Sequence, residues 1–174
     1  MRIKRQTGFT LIELLVVTTL SVILMLASSV LFMTFLVGKG KINSLQLIKN
    51  EGDYALSKME FLIRNAIDIS DCELGMTELT IKSLDGQDTR FFIEEDAGSR
   101  KIASNSGIYL TSGSVDLATN ADGQYLQVDC YESDDQRSKY VNLSFILRKG
   151  VPGVDLSRDI VEQEFSTGVA VRSF

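Results

Sequence analysis

The chain reads as α+β: one long helix near the amino end, then short strands forming an antiparallel sheet packed on it. Three observations predict this class. An apolar run of 24 residues, Leu14 to Val37, contains no charged residue. Apolar and small residues then recur at steps of three and four as far as about Ser70. From Glu78 onward the pattern changes to brief runs separated by turn dipeptides. The helix must bury a stripe against another apolar layer, and these runs supply one.

The first segment is the most restrictive. It reads Lys4-Arg5-Gln6-Thr7-Gly8-Phe9-Thr10-Leu11-Ile12-Glu13-Leu14-Leu15-Val16-Val17, and the next charge after Glu13 is Lys39. At ~1.5 Å per residue the apolar run would reach roughly 36 Å, beyond the ~30 Å hydrocarbon core. A secretory signal has an apolar region of about 7–15 residues followed by a small-residue cleavage site. Ala27-Ser28-Ser29 imitates such a site but lies inside the run. An acid in a membrane segment costs roughly 2.5–3.5 kcal/mol at the centre, so Glu13 marks a functional position. The competing reading places Glu13 at the water interface, where a carboxylate favours a helix N-terminus.

A basic leader ending in Gly, then Phe, then an acid five residues after that Gly resembles the type IV pilin and pseudopilin family. The matching stretch is Gly8 to Val17, G-F-T-L-I-E-L-L-V-V. The resemblance implies that 1–8 is a leader cut off by a prepilin peptidase between Gly8 and Phe9, with N-methylation of the new amine on Phe9. It further implies a transmembrane and assembly half of the helix over 9–38, an amphipathic half over 39–71 and an exported β-rich domain over 72–174. Lys and Arg near the two ends of the span tie, so charge alone does not orient it. The resemblance implies a cytoplasmic leader and an exported remainder, first in the inner membrane and then in a periplasmic pseudopilus or surface pilus. Many family members carry a Pro at the twenty-second mature residue; here that place is Val30, so no Pro kink is expected.

Cleavage also gives Glu13 a chemical role. It creates an ammonium on Phe9 that could meet Glu13 of a neighbouring chain. Two unit charges about 4 Å apart attract by ~4 kcal/mol at an effective dielectric near 20, before desolvation is subtracted. Removing one partner of a buried pair costs about 3–5 kcal/mol. Pairing would therefore set the register of packed helices, with Leu and Val side chains supplying the contact area. The implied partners are the peptidase, other pilin-like subunits and the inner-membrane assembly machinery.

In the second half of the helix, Leu45, Ile48, Gly52, Ala55, Leu56, Met59, Leu62, Ile63, Ala66 and Ile67 fall on one face. No Pro interrupts the chain before Pro152, so one helix from about Phe9 to Ser70, roughly 93 Å long, is expected. Gly38, Gly40 and Gly52 each cost about 1 kcal/mol relative to Ala, which makes a hinge near Gly38–Gly40 the natural weak point.

Strands are expected at Leu79–Ile81 and Arg90–Ile93, joined through Asp85-Gly86 as a type I′ hairpin. Further strands are expected at Lys101–Ala103, Ile108–Leu110, Val115–Leu117, Tyr125–Tyr131, Tyr140–Leu147 and Val169–Val171. The runs Ile108 to Ser112 with Val115, Tyr140 to Phe145 and Gly168 to Arg172 resemble minor pilins of the J/W-like type. Plain alternating strands with a polar loop would produce the same letters. Cys72 and Cys130 are either a disulfide, permitted in an exported domain and worth about 4 kcal/mol by loop entropy, or two separate buried thiols.

Charge and composition exclude more than they assign. Residues 72–174 hold 10 Lys/Arg and 17 Asp/Glu, which disfavours a broad nucleic-acid surface. Glu94-Glu95-Asp96 and Glu132-Ser133-Asp134-Asp135 are expected in solvated loops. The chain has no His, which removes the commonest general base and metal ligand. Asn120-Ala121-Asp122-Gly123 has the flavour of a calcium loop but lacks the further spaced acids and the bidentate Glu. Asn142-Leu143-Ser144 is a sequon inside an expected strand. No catalytic residue, metal or cofactor is therefore assigned. The expectation is a structural minor pilin or pseudopilin. The alternative is a single-pass anchored binding domain that does not polymerise, and an anchored enzyme is the third class.

Overall fold

A computed structural model describes residues 9–83, 85–96, 98–105, 107–134, 138–151, 153–155 and 160–172. Helix α1 spans Leu11–Arg64 and is followed by eight strands. The chain falls into two compact units, one ending at Gly40 and one running from Lys41. The first consists of the opening part of α1, and the second holds the rest of α1 and both sheets. The α+β class is correct.

Within the second unit the first sheet has the order β1-β2-β3-β4, all antiparallel: Asp68–Ser70, Leu79–Lys82, Asp88–Asp96 and Ser99–Ser104. The second is built on β7, Ser138–Lys149, which pairs along its full length with β8, Val161–Arg172. Strands β5, Asp116–Ala118, and β6, Leu126–Glu132, lie end to end along the opposite edge of β7. The core is continuous from Ile48, Ala55, Met59 and Ile63 of α1 to both sheets, through Ile81, Phe91 and Ile102 in one and Val128, Leu143 and Phe145 in the other. All these side chains are buried, as the three- and four-residue spacing on α1 requires.

The helix stops at Arg64, six residues before the expected Ser70. Asn65 ends it: its side-chain amide donates to the Phe61 carbonyl at 2.7 Å, and the Ala66 N–H turns to the Ile63 carbonyl at 3.1 Å. The Ile67 N–H then donates to the Lys82 carbonyl at 2.8 Å, and Asp68–Ser70 continues as a strand. Ile69 is buried between exposed Asp68 and Ser70, a period of two that the helical spacing of Ile63, Ala66 and Ile67 had concealed. Upstream, Gly38 and Gly40 are helical residues of α1, and the division between the two units falls at Gly40.

Gly52 is not a weak point but a notch. A Cβ built there would collide with the ring of Phe165 on β8, so only Gly lets that aromatic ring reach the helix backbone. Phe165 also stacks on Phe145 of β7, with centroids 5.4 Å apart.

The first hairpin turn differs from the expectation in frame. The Ser83 N–H donates to the Gln87 carbonyl and the Gly86 N–H to the Ser83 carbonyl, both at 2.9 Å. Gly86, at φ 78°, therefore follows the turn in the bulge position of a three-residue hairpin loop, instead of occupying a two-residue type I′ turn. Asn120–Gln124 repeats the arrangement, with Gly123 at φ 81°. The Asn120 side-chain oxygen accepts the N–H groups of Asp122 and Gln124, both at 2.9 Å, so the calcium-like letters are turn chemistry. The Ile108–Leu110 run forms no named strand; it makes an isolated bridge, Ala103 to Tyr109, along β4.

Candidate processing and assembly site

Thr10 starts α1. Its carbonyl accepts the N–H groups of Glu13 and Leu14 at 3.1 and 3.2 Å, and its hydroxyl oxygen accepts the Glu13 N–H at 3.3 Å. Thr10 is thus the N-cap and Glu13 the third helical residue. Thr10-Leu11-Ile12-Glu13 has the Thr-x-x-Glu spacing of a capping box, the sequence signal that locates this cap and that a search for processing motifs passes over. Glu13 lies in the first turn, where unpaired amide groups and the helix dipole favour a carboxylate. Phe9 is 82% exposed immediately before the cap. Gly8 and the basic residues Arg2, Lys4 and Arg5 lie outside the described residues.

From here the helix is apolar on every face through Leu36, and it is long and apolar enough to cross a membrane. Its hydroxyls fit that environment. Thr18 and Thr19 donate to the Leu15 carbonyl, Ser21 to Val17, Ser28 to Leu24, Ser29 to Met25 and Thr34 to Val30, at 2.7–3.0 Å. Each polar hydrogen is returned to the helix's own backbone, as a segment without water demands. Val30 stands in regular helix.

The arrangement is a capped helix start carrying one acid, preceded by a small residue and a basic leader in the sequence, and followed by an apolar stretch. Residues 3–29 match the family model of the prokaryotic N-terminal methylation motif. No curated protein and no solved structure matches the chain. The methylation motif covers Gly8, Phe9 and Glu13 together and ends inside the apolar run. With the long apolar helix, it supports a pilin-like, N-methylated, membrane-anchored class of protein.

In the second unit, Cys72 and Cys130 are joined in a disulfide, with Cα atoms 5.0 Å apart and a sequence separation of 58. The segment that begins at Cys72 lies along the outer edge of β6. The Cys130 N–H donates to the Glu73 carbonyl at 2.8 Å, Met76 and Val128 exchange bonds at 2.8 and 2.9 Å, and the Gly75 N–H donates to Asp129 Oδ1 at 2.8 Å. The disulfide therefore sits at one end of a short ladder.

The acidic clusters lie largely at strand ends and not wholly in loops. Glu94, Glu95 and Asp96 are not in a loop; they end β3, opposite Lys101, Arg100 and Ser99 of β4. Lys101 Nζ lies 2.5 Å from Asp96. Glu132 ends β6 and stands 4.0 Å from Lys139, while Asp134 follows in a turn and Asp135 lies outside the described residues. Desolvation by the neighbouring protein, with Glu94 and Asp96 close by, holds the Tyr109 phenol above its ordinary value. Lys101 stands 4.6 Å from the same ring. Lys139 also donates to Asp68 Oδ1 and to the Ile69 carbonyl, both at 2.8 Å, joining β7 to β1. That hydrogen bond holds the Asp68 carboxyl below its ordinary range.

Proposed function

We propose that this chain is a structural subunit of a type IV pilus or type II secretion pseudopilus, and a minor subunit. Prepilin peptidase cuts between Gly8 and Phe9, Phe9 is N-methylated, and the processed chain packs helix-first among other subunits, guided by the inner-membrane assembly machinery. The leader is cytoplasmic, the 9–38 segment crosses the inner membrane once, and the β-rich domain is exported. The match of residues 3–29 to the methylation motif supports this reading most directly. Thr10 adds to it by fixing Glu13 in the first helical turn, four residues, about one helical turn, from the amine that cleavage would create.

The Phe9 ammonium of one subunit pairs with Glu13 of another, relieving an acid that would otherwise be buried alone among Leu and Val side chains. The chain then works as a scaffold with no cofactor. The minor-subunit assignment rests on the likeness of the 108–115, 140–145 and 168–172 runs to J/W-like pilins.

Intact-mass measurement of the native protein tests the processing. Loss of 1–8 with gain of one methyl is the expected result; a mature protein that keeps its initiator methionine overturns the reading. Gly8→Val should leave the precursor uncut on a gel, since a branched side chain at the scissile Gly obstructs the peptidase.

A further inference from the structure

Charge is unevenly spread over the second unit. Residues 41–174 hold 14 Lys/Arg against 22 Asp/Glu. Yet a cleft of about 360 Å³, where the starts of β4 and β5 meet the end of β7, is lined among the described residues by Arg100, Arg148 and Lys149 and by one acid, Asp116. Asp116 Oδ2 is shared, accepting from Arg100 Nη2 at 3.1 Å and Arg148 Nη2 at 3.3 Å. Glu162 stands 3.6 Å from Arg148 Nη1 and does not line the cleft. Arg148 Nε is buried and has no acceptor among the described residues, so the guanidinium keeps a donor for one more oxygen. On the rim, the Val154 and Asp155 N–H groups donate to the Val151 carbonyl at 3.1 and 2.9 Å. The Asp155 carboxylate turns back to accept the Val151 N–H at 2.6 Å. This turn leaves Val151 56% and Val154 80% exposed.

The cleft lies at the end of the unit where the chain enters. At the far end of β7, Lys139 bonds to Ile69, beyond the end of the helix. Farther along, Phe145 stacks on the Phe165 ring that fills the Gly52 notch. Lys149 lies four residues, about 13 Å, farther in the same direction, towards the start of the unit at Lys41. Lys41 follows Val37, the last residue of the apolar run, by four positions. We propose that this face meets the membrane surface, with the phosphate of an anionic phospholipid held between Arg148 and Lys149 and with Val151 and Val154 dipped among the headgroups, which rests on the membrane-anchored reading of α1. A phosphate oxygen is the charged acceptor that Arg148 Nε lacks. Lys149 Nζ donates to the Ser114 carbonyl at 3.3 Å and can turn to the same phosphate. Basic side chains beside exposed apolar ones suit a surface that lies on a membrane, one attracted by lipid charge and the other buried at the acyl boundary.

The test uses the full oxidised chain in vesicles, with an environment-sensitive fluorophore on Val154→Cys. Replacing part of the phosphatidylcholine by phosphatidylglycerol should shift the emission to the blue. Arg148→Gln and Lys149→Gln should each weaken that response about fivefold. Lys149 is partly exposed, so its variant should keep the parent thermal transition. Identical emission in both lipids overturns the proposal. So does a blue shift that survives both substitutions, which would place the attraction on Lys39 and Lys41. In neutral detergent micelles, phosphatidylglycerol should move the Arg148 Nε–H resonance and equimolar inorganic phosphate should not. An equal movement with both makes the ligand a free anion and also overturns the proposal. Throughout, the chain should stay with the vesicles on carbonate extraction. A chain that washes off overturns the membrane-anchored reading, and this proposal with it.

Discussion

Gly52 and Glu13 illustrate opposite uses of a single residue on the same helix. Adding a methyl at Gly52 gains about 1 kcal/mol of helix propensity but drives the Cβ into the Phe165 ring. Overpacking of this kind costs roughly 1–3 kcal/mol. Gly52→Ala should therefore lower the melting temperature, and Phe165→Leu in the same chain should recover part of the loss. A double-mutant cycle followed by circular dichroism measures that coupling. The sequence marks Gly52 as a helix liability because only the fold reveals the ring facing it. Glu13 stands out in the sequence as the one acid heading an apolar run, and the Thr10 cap accounts for its place in the first turn, while its assembly role is the proposal. Glu13→Val should give a chain that is processed and enters the membrane yet is poorly incorporated into filaments. Incorporation at the wild-type level in sheared-filament preparations would remove the charge-pairing account.

Among the elements, the helix and the hairpins were the easiest to anticipate and the connections the hardest. A 3.6-residue period without Pro announces α1, and Asp-Gly dipeptides announce two turns, although in both the Gly serves the bulge. The switch at Asn65 was hidden because Ile63, Ala66, Ile67 and Ile69 suit either a helix stripe or a strand face. Glu94 to Asp96 looked like loop because their compensating cations, Arg100 and Lys101, arrive only once β4 folds back. The length of β8 was missed because its polar outward residues mask the alternation of Phe165, Val169 and Val171. Two predictions belong here. Replacing Cys72 and Cys130 by Ser should destabilise the second unit by up to ~4 kcal/mol on the loop-entropy account, read as a lower melting temperature that reductant reproduces in the parent chain. The Asp68–Lys139 contact should carry a pH signature. Its folded-state carboxyl lies below the unfolded value, so its contribution is present above the ordinary carboxylate range and is lost as pH falls through the lowered value. Asp68 is half exposed, so the effect is small after solvent screening. A carboxyl NMR titration checks it: Lys139→Ala should return Asp68 towards its ordinary value.

At the scale of the molecule, residues 41–174 form a unit with one continuous core. Expressed without 1–40, they should fold, melt cooperatively and stay soluble without detergent; a broad, non-cooperative transition would show that the apolar half of α1 is needed for folding. The α+β plan was foreseeable, because an amphipathic helix followed by alternating runs has few ways to hide its apolar stripe. The division into two sheets was not, nor was the tandem placement of β5 and β6 along β7, since both depend on pairings between residues far apart in the chain. The Cys72–Cys130 bond has a mechanical consequence. Tension drawn along the helix would pass into the second sheet through a covalent link eight residues beyond Arg64, so hydrogen bonds alone would not bear it. Stretching a single oxidised molecule should then extend it by a shorter contour than its reduced form, because the 58-position loop would stay closed under load.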